Sequence, residues 1–268
     1  MARTITLLTD FGLADEFVGV LEGVIAGIAP DARVIHLSHG IAPQDVLQGA
    51  TVLANALPYL PVGVHVAVVD PGVGSERRAV LLETGDGRLL VGPDNGLLVP
   101  AAERVGGIAR AFELAEPGLF LEPVSATFHG RDVFAPVAAR LAGGMPPERV
   151  GPALAPGSLA RPQIEPARVA DGAVRATVVA VDRFGNAALA ADGATLDAVG
   201  IAVGGRLEAI CGEARVYALR ARTFAEVRRG DLVAFEDSAG AIGLAMNHGS
   251  FADVVGLRAG DRVTLRPA

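Results

Sequence analysis

The chain has 268 residues, 51 % of them apolar and 20 % charged, which is ample for a packed core in one large or two modest domains and excludes a disordered chain. A formal net charge of −7 and the absence of tryptophan argue against a nucleic-acid surface, which needs a basic face and stacking aromatics. All 23 basic residues are arginine, so Schiff-base chemistry, a phosphate-loop lysine and a kinase lysine are excluded.

In chain order, Thr4 to Asp10 is β-rich and runs into a glycine-containing turn. Phe17, Val20, Leu21, Val24 and Ile28 then recur at helical spacing up to Pro30. Val34 to Leu37 reads as a strand, Pro43 to Leu57 as a helix with Val46, Ala50, Leu53 and Leu57 on one face, and His65 to Asp70 as a third strand. Ala79 to Thr84 and Arg88 to Val91 flank Gly85-Asp86-Gly87, a hairpin signal. Leu97 to Val105 and Arg131 to Leu141 look helical. This rhythm predicts an α/β N-terminal domain with a mostly parallel sheet flanked by helices.

Gly143 to Pro166 is rich in Gly, Pro and Ala and reads as an interdomain connection. Beyond it strands follow without helical spacers: Val174–Asp182, Arg206–Ile210, Val216–Ala221, Leu232–Glu236, Ala241–Met246 and Arg262–Arg266. A smaller all-β domain, barrel or sandwich, is expected there, giving domains over 1–155 and 165–268. Cys211 is the only cysteine, which excludes an internal disulfide and a multi-thiolate zinc site; it reads as a small buried hydrophobe in a strand. The N-terminal stretch reaches an acid at Asp10, too early for a signal peptide, and no long uncharged apolar run is present. No membrane contact and a cytoplasmic location are the expectations.

In open parallel sheets, ligands bind beyond the carboxyl ends of the strands. Four polar clusters fall near such ends: Thr9-Asp10-Phe11-Gly12, Asp70-Pro71-Gly72-Val73-Gly74-Ser75, Gly92-Pro93-Asp94-Asn95-Gly96 and Thr127-Phe128-His129-Gly130-Arg131-Asp132. Any one of them is ordinary turn or helix-cap chemistry, but together they could line one crevice. Asp10-Phe11-Gly12 matches the kinase magnesium tripeptide by chance, since no lysine accompanies it. His36, His39 and Asp45 could be imagined as metal ligands, although His36 and His39 lie at a strand end, where their spacing carries no metal signature. His65, opening a strand, and His248, in a turn, read as structural.

These residues carry a family resemblance. Leu8-Thr-Asp-Phe-Gly-Leu-Ala-Asp-Glu-Phe-Val-Gly, Val69-Asp-Pro-Gly-Val-Gly-Ser-Glu-Arg-Arg, Gly92-Pro-Asp-Asn-Gly-Leu-Leu, Thr127-Phe-His-Gly-Arg-Asp-Val-Phe-Ala-Pro and Val181-Asp-Arg-Phe-Gly-Asn resemble, in that order, the S-adenosyl-L-methionine (SAM) hydroxide adenosyltransferases. These SAM hydrolases are relatives of the fluorinase and chlorinase. The resemblance implies hydrolysis of SAM to adenosine and L-methionine, without metal or cofactor, by attack of water or hydroxide on the ribose 5′ carbon. It also implies a homotrimer whose substrate lies between the N-terminal domain of one subunit and the C-terminal domain of a neighbour.

Residue by residue, the family's Asp-Arg-His set carries over to Asp70, Arg77 and His129, with Arg78 the neighbour that could be confused with Arg77. Asp10 would hold the ribose hydroxyls, Asn186 the adenine edge with Phe184 beside it, Ser238 the methionine carboxylate, and the backbone around Met246 the adenine. Asp70 stands where the fluorinase resembles a tyrosine, and Gly130 where it resembles a serine, which points to the hydroxide-using branch. Ile242-Gly243 and Phe224 depart from the family pattern in the C-terminal half.

The chemistry sets a demand on these residues. Free hydroxide at neutral pH costs about 12 kcal/mol, and one arginine charge at contact returns only about 4 kcal/mol. Asp70 is therefore expected to accept the water's proton during attack, with His129 orienting the water or relaying the proton. The rival readings are a module that binds adenosine or SAM without turnover, a SAM-dependent halogenase, and a metal-dependent hydrolase built on His36 and His39.

Overall fold

The computed structural model describes residues 4–268; Met1–Arg3, which head the stretch read above for a signal peptide, lie outside them. The chain forms two compact units, one ending at Pro162 and the other spanning Gln163–Ala268.

The first unit begins β1 (Ile5–Thr9), α1 (Phe17–Ile28), β2 (Val34–Ser38), α2 (Val46–Ala56), β3 (Val64–Val68), β4 (Ala79–Thr84) and β5 (Leu89–Pro93). It continues with α3 (Val99–Arg104), β6 (Ile108–Glu113), a π-helical turn at Gly130–Phe134, α4 (Ala135–Ala142) and β7 (Ala153–Leu154). The sheet order is β2-β1-β3-β5-β4-β6-β7. β2, β1, β3 and β5 are parallel, and β4, β6 and β7 extend that parallel half antiparallel to their neighbours. β1 and β3 are buried along their whole length, as strands covered on both faces must be. One face packs on α1 and α4 through Leu21, Ile25, Val137 and Leu141. The other packs on α2 and α3 through Ala50, Leu53, Ala101 and Ala102.

Several boundaries differ from the sequence expectation. The helix expected from Pro43 starts at Val46, because the Asp45 side chain caps it by accepting the Gln48 N–H at 2.9 Å. The helix expected from Arg131 divides into the π-helical turn and α4. β6 was not expected; it pairs with β4 along its length. The stretch read as a connector supplies β7, which pairs with β6, so the first unit runs on to Pro162.

The second unit contains β8 (Arg168–Ala170), β9 (Ala173–Val181), β10 (Ala187–Leu189), α5 (Gly193–Asp197), β11 (Arg206–Cys211) and β12 (Ala214–Arg220). β13 (Leu232–Glu236), β14 (Ile242–Met246), α6 (Phe251–Val255) and β15 (Arg262–Pro267) complete it. The order β10-β14-β13-β12-β11-β15-β9, closed by pairing of β10 with β9, makes a seven-stranded barrel, with β8 added outside β9. Closure leaves no free edges on those seven strands. Only β12 and β13 are parallel neighbours. The expectation of strands without helices missed α5 and α6, each of five residues and too short to show a period. Val178, Leu207, Ala234, Leu244, Phe251 and Leu265 fill the interior. Cys211 is buried among them; burial, then the nearby Asp261 carboxylate, pushes its thiol up to about 11, so it is an inert core group. Among the described residues, no helix is long and apolar enough to cross a membrane.

Candidate active site

The carboxyl ends of β1 and β3 meet the loop before the π-helical turn around a cavity of about 400 Å³. Asp10, Gln44, Asp70, Thr127 and His129 supply its polar lining, and Phe11, Phe17 and Phe128 an apolar wall. The three rings pack edge to face, with centroids 5.2 to 5.9 Å apart, so they hold one another in place.

Asp70 stands two residues past the end of β3, after the buried Val69, and Arg77 closes the loop that leads to β4. The Arg77 guanidinium donates to both Asp70 oxygens, from Nε at 3.1 Å and from Nη2 at 2.5 Å. Nη2 also donates to His129 Nδ1 at 3.1 Å. Both side chains of the ion pair are almost fully buried. Of the two adjacent arginines, then, Arg77 faces Asp70 and His129, while Arg78 pairs with Asp94. Gly74 lets the loop lie against the segment that carries His129. Its φ is +78°, and a Cβ there would sit 2.4 Å from the Ala126 carbonyl oxygen.

His129 opens the π-helical turn, a local irregularity often found at functional sites. Burial, and next the Arg77 charge, lowers its pKa, against the opposing pull of Asp70 and Asp132. Asp132 is fully buried behind it. Burial alone would raise that carboxyl, but the hydrogen bonds from Arg131 and from the Ser125 N–H prevail and lower it.

Asp10 projects from the end of β1 and accepts the Gln44 N–H at 2.8 Å. Gln44 holds φ +66°, a left-handed conformation that a non-glycine residue adopts at a cost and that clusters at functional sites. Behind Asp10, Thr9 Oγ1 takes the Phe11 N–H at 3.2 Å and meets His39 Nδ1 at 2.8 Å. His39 Nε2 in turn meets His36 Nδ1 at 2.8 Å. The imagined metal set is thus engaged elsewhere: His36 and His39 bond each other, and Asp45 caps α2. Among the described residues, no group of three or more His, Cys, Asp or Glu side chains is arranged to hold a metal ion.

In the barrel, Phe184 and Asn186 share one turn organised by Asp182, which accepts both backbone N–H groups and the Asn186 side-chain amide. The Phe184 ring is largely exposed and lies against the Arg183 guanidinium. Met246 ends β14 near that turn, since Ala187 pairs with Leu244. Ser238 lies beyond the opposite end of β14, in the turn that joins it to β13. The β14 ladder between them spans about 14 Å, so one ligand reaching both would have to be extended. Sequence reasoning missed Gln44, whose left-handed φ leaves no signature in the sequence, and the aromatic role of Phe11 and Phe128, which sat inside motifs already singled out.

Residues 5–151 match the SAM hydroxide adenosyltransferase N-terminal domain, and residues 176–264 the C-terminal domain. The chain is 50 % identical to a protein of Salinispora arenicola named (R)-S-adenosyl-L-methionine hydrolase, over 98 % of both chains. It is 28 % identical to a fluorinase of Nocardia brasiliensis, over 98 % of this chain and 96 % of that one. A solved structure of an uncharacterized conserved protein from Thermotoga maritima superposes with a TM-score of 0.89 at 35 % identity, covering 98 % of this chain and 99 % of that one. Both domains of the family are present in their order along one chain: this protein belongs to the SAM hydroxide adenosyltransferase family.

Proposed function

We propose that the protein hydrolyses S-adenosyl-L-methionine to adenosine and L-methionine by attack of water on the ribose 5′ carbon. The observation that carries this reading is the joining of Asp70 and His129 through one guanidinium, Arg77, at the wall of a cavity that Asp10 also lines. The leaving group is a sulfonium and departs as a neutral thioether, so no group need donate a proton to it. The cost lies in the nucleophile. A water between Asp70 and the 5′ carbon gives its proton to the carboxylate as the C–O bond forms and the C–S bond breaks. Each Asp70 oxygen takes one bond from Arg77 and keeps a lone pair for that water.

Asp10 holds the ribose hydroxyls, and the phenylalanine wall keeps bulk water from the reacting carbon. Phe184, Asn186, Ser238 and the backbone at Met246 take the adenine and methionine ends. The active assembly is a homotrimer in which a neighbouring subunit supplies those C-terminal contacts. The exposed apolar side chains of Leu13 and Phe17, beside the cavity motif, support covering by another subunit. Light scattering on the purified protein tests the trimer.

The activity is tested by incubating chelator-treated protein with SAM and separating the products. Equimolar adenosine and methionine without added metal or halide supports the hydrolase. Intact SAM, or bound adenosine without turnover, overturns it in favour of a binding module, and a halogenated adenosine formed only with added halide would indicate a halogenase.

A further inference from the structure

The loop between β3 and β4 carries both Asp70 and Arg77, and a single turn after β5 grips both ends of it. Val69, just before Asp70, is fully buried and lies beyond the last pair of the β1–β3 ladder, Thr9 with Val68. A buried carbonyl there needs a donor. The Asn95 side-chain amide supplies it at 2.8 Å, while Asn95 Oδ1 accepts the Leu97 N–H at 3.2 Å. That second bond fixes which end of the amide faces Val69.

At the other end of the loop, the Asp94 N–H donates to the Arg78 carbonyl at 2.9 Å. The Asp94 carboxylate accepts from Arg78 Nε at 3.0 Å and Nη2 at 2.5 Å, and its other oxygen accepts the Ala160 N–H at 2.8 Å. Arg78 Nη2 continues to the Ser158 carbonyl at 2.7 Å. The turn is itself wedged in place, because a Cβ on Gly96 would stand 2.8 Å from the Pro162 nitrogen. Asp94, Asn95 and Arg78 are not among the residues lining the cavity, so this arrangement acts on the site from behind.

We propose that Asn95 and the Asp94–Arg78 pair are positioning residues that set where Asp70 and Arg77 stand relative to each other, and so where Asp70 presents its free lone pair. The inference rests on the reading of Asp70, Arg77 and His129 as the reacting set. A displacement of about 1 Å in such a set costs on the order of a hundredfold in rate without any loss of substrate contact. A turn that merely holds the fold together would change stability and leave the chemical step alone.

Two variants separate these roles. Asn95→Asp keeps the acceptor for Leu97 and removes the donor to Val69, and Arg78→Lys keeps the charge opposite Asp94 and removes the two-pronged grip. Turnover of SAM, KM and thermal midpoint are measured for both beside the wild type. The expected result is a fall in kcat of about tenfold or more in each variant, with KM for SAM within about twofold of wild type. Unchanged kcat, whatever happens to the midpoint, overturns the inference, and so does a rise in KM alone. If Asn95→Asp does not fold, Arg78→Lys decides by the same criterion. Asp70→Ala in the same assay keeps the two claims apart. Retained turnover there removes the reacting set, whereas its loss beside an unaltered Asn95→Asp overturns the positioning role only.

Discussion

Arg77 Nη2 lies 3.1 Å from His129 Nδ1, and because a guanidinium can only donate, that ring nitrogen must be the acceptor. His129 is therefore neutral in this arrangement, with its proton on Nε2. Burial and the Arg77 charge push its pKa below the ordinary 6.5, so at neutral pH the ring stays uncharged. As the pH falls through that lowered value, Nδ1 gains a proton, becomes a donor and turns away from Arg77. Activity should accordingly be flat near neutrality and decline only on the acid side, below pH 6.5. A pH–rate profile checks this, and His129→Asn, which cannot titrate, should lack the acid limb. An acid limb of the same position in that variant would assign the decline to another group.

Arg77 and Arg78 are neighbours with unequal consequences. Replacing Arg77 by lysine removes the fork that holds Asp70 through two atoms and reaches His129 with a third bond. A loss of about 100-fold or more in kcat is expected, against a loss nearer tenfold for Arg78→Lys. Steady-state kinetics of the two single variants test the order, and equal losses would contradict it.

His65 makes stability sensitive to acid. It is fully buried in β3, bonded through Nδ1 to Thr6 Oγ1 at 2.9 Å, with Nε2 unpartnered. Burial, then the Arg88 charge, lowers its pKa from 6.5 to about 4. The folded value is depressed, so the neutral ring's contribution is fully present above pH 6.5 and is lost as the pH falls toward about 4. The loss amounts to about 3 kcal/mol at the low end. Urea unfolding at pH 7 and pH 4.5 measures it, and His65→Gln should reduce the difference between the two pH values.

Gly185 holds the Phe184–Asn186 turn at φ +78°, and a Cβ there would fall 1.9 Å from Ser250 Oγ and 2.8 Å from the Ser250 Cα. Gly185→Ala must therefore push the turn off α6 as well as strain the backbone. A loss of about 2–4 kcal/mol is expected in unfolding of the barrel. A rise in KM for SAM should accompany it if Phe184 and Asn186 hold the adenine. Calorimetry and kinetics on the same preparation read both effects.

The βα rhythm of the first half, the strand-only pattern of the second and the ordered motifs were legible in the sequence because they rest on local periodicity and turn chemistry. So was the grouping of Asp70, Arg77 and His129, which the resemblance placed together although 52 positions separate Arg77 from His129. The barrel's closure was not legible, since it depends on β10 pairing with both β14 and β9 and nothing in three residues announces two partners. The preference for Arg77 over Arg78 came from the resemblance alone, and local pattern does not separate the two. Adjacent residues near a strand's start point to opposite faces, and which face holds Asp70 and which holds Asp94 is settled by how β3, β4 and β5 lie side by side. Local residue choice fixed which elements form, but the site's bonds join residues far apart in the chain, and only the packed sheet brings those side chains within hydrogen-bonding distance.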